Sequence, residues 1–122
     1  MRIFKTKWFV RYARSERIED HSLCEAVERA ERGVIDADLG GGVIKQRVAR
    51  YGQGRSGGYR MLVAYRCGEL AVFMYGFAKK ERDNIEDDEL ETLRNIASDL
   101  FSSTAECLER QVREGRLQEV KS

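Results

Sequence analysis

The sequence predicts a small α+β domain in which two N-terminal helices precede an antiparallel β-meander and further helices close the chain. Apolar residues recur at helical spacing before residue 33 and again after residue 86. Between residues 43 and 78 they alternate or run together, which is typical of strands. A length of 122 residues, with no proline, repeat or linker, is typical of one domain, so we expect a single domain over residues 1–122.

The N-terminal part predicts a strand and two helices. Arg2–Lys5 is a short predicted strand, and Thr6 is a predicted N-cap for a helix that reaches about Glu16. We expect Trp8 and Phe9 in the core, with base stacking as the alternative role for Trp8. Ser22 begins a serine-x-x-glutamate pattern, which predicts a second helix with a capping box. The loop that follows this helix holds two acids, too few for a metal site, and is interpreted as a turn into the sheet.

The middle part predicts three antiparallel strands, and the last part predicts two helices. The strand segments are Val43–Arg50, Tyr59–Arg66 and Leu70–Ala78, of which the third is almost wholly apolar and so predicts a central buried strand. The acids at residues 86–88 favour a helix start, because carboxylates stabilise the positive end of a helix dipole. A second capping-box pattern begins at Ser103, and Leu117–Val120 is a short predicted strand.

Composition argues against several classes of protein. No run of about 18 apolar residues occurs, so we expect no membrane segment. The three cysteines form no CxxC pair and the chain has one histidine, so we expect free thiols, no metal and no cofactor. These features, together with the lack of an export signal, predict a cytoplasmic protein.

A glycine-rich stretch joins the first two meander strands and carries much of the positive charge. Gly52–Arg60 holds four glycines and two arginines. Glycine lets a backbone approach a ligand closely, and the guanidinium fork fits phosphate oxygens. Residues 43–82 carry nine basic and two acidic side chains, a net charge of +7, which favours an anionic partner. The alternatives are an ordinary hairpin with solvated charges, and a basic block that pairs with the acidic C-terminal part.

The basic block suits phosphoryl chemistry better than proton transfer. Cleavage of RNA by its own 2′-hydroxyl needs in-line geometry, a base and positive charge for the transition state. A histidine pair is excluded by count. A site of arginines and lysines remains, with Tyr59 or Tyr75 as an occasional donor. Arg60 alternates with the apolar Tyr59 and Met61, so we expect its side chain on the open face of the sheet.

The sequence resembles the RelE/HigB-type toxins of bacterial type II toxin–antitoxin modules. It is especially similar to the branch that carries a glycine, then lysine or arginine, then serine-glycine-glycine-tyrosine-arginine. The resemblance covers nearly the whole chain and is carried by three stretches, which are Asp36–Gly42, Gly54–Arg60 and Tyr75–Ile85. It implies a RelE-like microbial RNase fold whose concave sheet face binds RNA. It also implies an endoribonuclease that cuts mRNA in the ribosomal A site.

The resemblance also implies roles for individual residues. Arg60 corresponds to the arginine at the scissile phosphate, Arg55 to a basic residue beside it, and Lys79 and Lys80 to the basic pair after the last meander strand. These four are the candidate catalytic residues. The candidate RNA-binding residues are Lys45, Arg47, Arg50, Tyr59 and Arg82. Many members carry a lysine where this chain has Gln53 or Gly54, and several carry a tyrosine near the position of Glu86, so the general acid and base stay unassigned.

The implied partners are mRNA on the ribosome and a cognate antitoxin, expected to be a helix-turn-helix protein encoded next to the toxin. Two alternatives stay open. One is a non-catalytic inhibitor of DNA gyrase with the same fold, like the ParE-type toxins. The other is an inactive relative that only binds an antitoxin. The concentrated arginine and lysine favour the endonuclease.

Overall fold

The computed structural model describes residues 1–50 and 57–121. Within these residues four helices surround one six-stranded sheet with the strand order β2-β3-β4-β5-β1-β6. The elements are β1 (Arg2–Thr6), α1 (Lys7–Glu16), α2 (Asp20–Glu31), β2 (Ala37–Asp38), β3 (Val43–Val48), β4 (Tyr59–Arg66), β5 (Leu70–Ala78), α3 (Asp87–Ser102), α4 (Ala105–Arg113) and β6 (Leu117–Glu119). The predicted α+β class, with helices before and after a meander, is confirmed.

The sheet is built around β5. β3, β4 and β5 form the predicted antiparallel meander, and β1 lies on the other side of β5, parallel to it. Because β5 has neighbours on both edges and helices over both faces, nearly all of its side chains are buried. This explains why its sequence is a continuous apolar run.

The two faces of the sheet carry separate cores. Tyr59, Met61 and Val63 point toward α1 and α2, and Cys24 joins this core from α2. Leu62 and Ala64 point the opposite way and pack with α3 and α4. The alternation along β4 therefore defines an α1 face and an α3 face.

Several helix starts differ from the predicted ones. Thr6 caps α1 as expected, by accepting a hydrogen bond from the Phe9 amide at 3.2 Å. α2 begins at Asp20 after the N-cap Glu19, so the capping box at Ser22 is wrong. The earlier start brings the Asp20 carboxylate to 2.8 Å from the ammonium of Lys5 on β1, a long-range contact that no local pattern reveals.

The C-terminal helices follow their predicted starts closely. Glu86 and Glu89 form a reciprocal capping box at the start of α3. α4 is capped by Thr104, one residue later than the predicted Ser103. The segment interpreted as a loop before β3 contains the short strand β2, which pairs with β3.

None of the helices within residues 1–50 and 57–121 has the length and apolar character needed to cross a bilayer.

Candidate nucleic-acid interface

Three basic side chains lie together on the α3 face, near the end of β3 and the start of β4. Arg47 is paired with Arg60 across β3 and β4, and Arg60 is paired with Phe77 across β4 and β5. Lys45 lies two residues before Arg47 and therefore on the same face. We call Lys45, Arg47 and Arg60 the cationic row. The meander thus brings together residues far apart in sequence.

Asp36 holds two members of the row. Its carboxylate lies 2.8 Å from Arg47 Nε and 4.0 Å from Lys45 Nζ. Its own amide donates to the side-chain oxygen of Gln46 at 2.9 Å, and the Gln46 amide donates to the carbonyls of Ala26 and Val34. Asp36 is therefore fixed by a fully buried glutamine, and it sets the position of the Arg47 guanidinium.

Arg60 is the most enclosed member of the row. Its side chain lies on the predicted face, but the residue is only 5% exposed, so the expected open position is wrong. Arg47 and Phe77 flank it on the two neighbouring strands. Burial, followed by repulsion from Arg47, lowers the pKa of Arg60, and Asp36 opposes this shift. An arginine stays charged under such a shift. The sheet therefore keeps a fixed positive charge at a buried position.

Arg82 closes the β5 side of the site. Its guanidinium lies over the Phe77 ring at 5.3 Å and pairs with Glu89 at 2.6 Å. It also donates to the Tyr75 hydroxyl at 3.4 Å. The hydrogen bond from Arg82 lowers the pKa of Glu89 below its ordinary value. Arg82 therefore lies next to the residue that opposes Arg60, with its charge already engaged by an acid.

Lys79 and Lys80 follow directly after β5 and are exposed. The Lys79 amide donates to the Gly58 carbonyl at 3.0 Å, which ties the exit of β5 to the entrance of β4. In the part of the chain that the structure describes, neither ammonium has an ion-pair partner. A Cβ on Gly58 would overlap the Val48 carbonyl, so a glycine is needed where these segments meet.

Tyr59 and Arg50 lie away from the cationic row. Tyr59 is 3% exposed on the α1 face, and its hydroxyl donates to Glu16 at 3.0 Å. Burial and this hydrogen bond raise the pKa of Tyr59. The Arg50 guanidinium lies 5.9 Å from the centre of the Tyr59 ring. Because side chains alternate along β4, Tyr59 points to the α1 face and Arg60 to the α3 face. Two adjacent residues that were both candidates for the site therefore lie on opposite sides of the sheet.

The remaining sequence-predicted site residue is Arg55. It belongs to the glycine-rich stretch and is one of residues 51–56, which lie outside the described part of the chain.

An aromatic cluster adjoins the site. Trp8 stacks on Tyr12 with ring centres 5.0 Å apart and lies 4.5 Å from Tyr75. Trp8 is 43% exposed, so its predicted place in the core is wrong, whereas its neighbour Phe9 is fully buried. The cluster links the start of α1 to the Tyr75 side of the site.

Sequence comparison assigns the family. The sequence model for the RelE toxin of the RelE / RelB toxin–antitoxin system matches residues 1–120. No curated protein and no solved structure matches the chain. A toxin of this family implies an antitoxin partner. The match spans nearly the whole chain and agrees with the α+β architecture around the meander, so the chain belongs to the RelE toxin family and is the toxin of a toxin–antitoxin module.

Proposed function

We propose that this toxin is a ribosome-dependent mRNA endonuclease. The observation that carries the proposal is the pairing of Arg47 with Arg60 on neighbouring strands. Like charges directly opposite each other destabilise a sheet, and burying Arg60 adds a desolvation cost. An anionic ligand offsets both effects. A phosphodiester fits because a guanidinium can donate two parallel hydrogen bonds to its oxygens.

The proposed reaction is attack by the 2′-hydroxyl of the mRNA on the adjacent phosphorus. The new bond closes a 2′,3′-cyclic phosphate, and the bond to the 5′-oxygen of the next nucleotide breaks. The 2′-hydroxyl loses its proton, and the leaving oxygen gains one to become a 5′-hydroxyl. Negative charge increases on the phosphate oxygens in the transition state, where positioned cations stabilise it most.

The residues divide into two proposed groups. Arg60 stabilises the transition state, together with Lys79 and Lys80 at the exit of β5 and Arg55 of the glycine-rich stretch. Lys45 and Arg47 bind neighbouring phosphates, and Asp36 keeps Arg47 oriented toward them.

Three further residues have supporting roles in the proposal. Arg50 contacts RNA at the rim of the site. Tyr59 anchors the start of β4 to α1 through Glu16. Arg82 keeps Phe77 in place next to Arg60.

We place this activity in the cytoplasm, where ribosomes and mRNA are found. The antitoxin is proposed to be a helix-turn-helix protein encoded next to the toxin.

Purified components test the proposal. The toxin is added to ribosomes with a defined codon in the A site, to the same mRNA without ribosomes, and to DNA gyrase in a supercoiling assay. We expect cleavage only on the ribosome and no effect on gyrase. Inhibition of gyrase without mRNA cleavage would support the ParE-like alternative, and activity in neither assay would support a relative that only binds an antitoxin.

A further inference from the structure

Tyr75 is the partly exposed residue of an otherwise buried strand. It is half-buried, whereas the other residues of β5 are buried. Phe77, two positions further on, lies on the same face and is paired with Arg60. The centre of the Tyr75 ring lies 4.5 Å from the ring centre of Trp8, which is 43% exposed. The sheet therefore presents an aromatic surface next to the cationic row.

A pocket lies beside the Tyr75 ring, between β5 and the start of α3. It has a volume of about 210 Å³, and its lining residues are Tyr75, Ile85, Glu89, Thr92 and Leu93. Ile85 and Leu93 give it aliphatic walls, whereas Glu89 and Thr92 bring polar groups from α3. The pocket therefore combines an aromatic ring, aliphatic walls and two polar side chains.

The polar groups of the pocket keep hydrogen-bonding capacity. The Thr92 hydroxyl donates to the Asp88 carbonyl at 3.1 Å, which leaves its oxygen able to accept. The Tyr75 hydroxyl accepts from Arg82 and, among the residues that the structure describes, donates to no group. Both oxygens of Glu89 bind Arg82, at 2.6 and 3.2 Å, but a carboxylate can accept about four hydrogen bonds. The pocket can therefore both donate to a ligand and accept from it.

We propose that this Tyr75 pocket binds one base of the mRNA next to the cleaved bond, with the base against Tyr75 and its polar edge on Glu89 and Thr92. The proposal deepens the proposed endonuclease function, on which the choice of mRNA as the ligand rests. The flat face of a nucleobase stacks on aromatic side chains, and its edge carries donors and acceptors. An aliphatic side chain of a protein would fill the pocket but leave these polar groups unused.

Side-chain contacts connect the pocket to the cationic row. Arg82 donates to the Tyr75 hydroxyl and lies over Phe77, which is paired with Arg60. Tyr75 and Phe77 are two residues apart, a distance of roughly 7 Å along the strand. A phosphate at Arg60 and a base at Tyr75 can therefore belong to the same nucleotide or to adjacent ones. Binding of the base would place that phosphate for cleavage, and the polar groups would select among bases.

The fluorescence of Trp8 tests the proposal directly. Trp8 is the single tryptophan of the chain and lies against Tyr75, so its emission reports on binding at the pocket. The probes are RNA trinucleotides of each base, with 2′-methoxy groups that prevent cleavage, and the same trinucleotides with one base removed from its sugar. For at least one base and position, this removal should weaken binding to wild type by about tenfold.

Two matched variants locate the effect. In Tyr75→Leu, the intact and the abasic trinucleotides should bind with equal affinity, because the ring on which the base stacks is gone. The control Tyr65→Leu makes the same change at another half-buried tyrosine, which packs with the core of the α1 face. This control should keep the tenfold difference. If Tyr75→Leu does not fold, Thr92→Phe at an exposed position of α3 fills the pocket with a ring and should also remove the difference.

Several results would overturn the proposal. One is a tenfold difference that persists in folded Tyr75→Leu or Thr92→Phe, and another is equal binding, or no binding, of intact and abasic probes by wild type. Weaker antitoxin binding by Tyr75→Leu with unchanged discrimination between the probes would overturn it and assign the pocket to the protein partner. Ribosome-dependent cleavage is measured in parallel. Base-dependent binding without cleavage would support the pocket and refute the endonuclease, whereas cleavage without base-dependent binding would refute the pocket alone.

Discussion

Replacing Arg60 with methionine should separate catalysis from stability. Methionine keeps much of the length of the arginine stem and removes the guanidinium. Loss of one positioned cationic contact costs about 3 kcal/mol in the transition state, or roughly a hundredfold in rate. Single-turnover cleavage of mRNA on purified ribosomes measures this loss. Binding to the ribosome should change much less, because Lys45, Arg47 and the exposed lysines remain.

The same substitution should not destabilise the fold. Arg60 is only 5% exposed, lies opposite Arg47, and has a pKa lowered first by burial and then by that arginine. A lowered pKa in a cationic group means that the folded state disfavours the charge. Removing one of two opposed cations relieves their repulsion, and methionine leaves no polar group of its own at this buried position. We expect the free energy of unfolding in urea to change by no more than about 1 kcal/mol, the size of one cross-strand pair.

The control is Arg66→Met, which makes the same substitution at the opposite end of β4. Arg66 is exposed, and its guanidinium lies over the Phe101 ring at 4.5 Å. This variant should cleave at the wild-type rate. A folded Arg60→Met protein that also cleaves at the wild-type rate would refute the assignment of Arg60. A marked loss of stability in Arg60→Met would refute the argument from burial and repulsion.

Three further predictions concern an acid of α3, two glycine turns and the exposed lysines. Glu89→Gln keeps the capping pattern but removes the charge, and the folded pKa of Glu89 lies below its ordinary value of 4.5. Wild type should therefore be more stable than Glu89→Gln above pH 4.5, and this difference in the free energy of unfolding should disappear as the pH falls through the folded pKa of Glu89. Urea unfolding at several pH values measures the difference. A difference that does not depend on pH would argue against the ion pair. Gly42→Ala should destabilise the fold more than Gly68→Ala, as measured by thermal unfolding. φ is positive at both glycines (81° and 75°), but only at Gly42 would a Cβ overlap an aromatic ring. This overlap adds about 1–3 kcal/mol to the loss of stability. Equal losses would contradict the steric argument. Lys79→Glu with Lys80→Glu should weaken ribosome binding, and unchanged ribosome binding would contradict the proposed role of these lysines. Antitoxin binding is titrated in parallel at two salt concentrations: unchanged affinity would place the antitoxin on another surface, and weakened affinity would mean that it covers the exit of β5.

The sequence was sufficient to predict the elements whose signal is local. The apolar run of β5 predicts a strand with two covered faces, and Thr6 predicts the start of α1. Lys45 and Arg47 are two residues apart in β3, and this spacing alone is enough to place them on one face. Each of these features depends only on residues that are close together in the sequence, within one or two helical turns or within one strand.

Other features depend on contacts between distant parts of the chain. The alternation in β4 assigns Arg60 to a face, but its burial depends on Arg47 and Phe77 on the neighbouring strands. Asp36 lay in a segment interpreted as a turn, and its role becomes visible only when Arg47 reaches it. The spacing of Lys7, Arg11 and Arg14 along α1 is present in the sequence, but the absence of an ion-pair partner for them within the described residues is a property of the fold.

The most direct test of the central claim is a change of one atom in the substrate. Once the cut in an A-site codon is mapped, the nucleotide on the 5′ side of the scissile phosphate is replaced with its 2′-deoxy form. The single-turnover cleavage of the two messages is then compared in otherwise identical ribosomal complexes. Attack by the 2′-hydroxyl predicts that the all-ribose message yields a 2′,3′-cyclic phosphate end and that the deoxy message stays intact at that bond while still binding the toxin. Cleavage of the deoxy message at the same bond and at an undiminished rate would contradict the account.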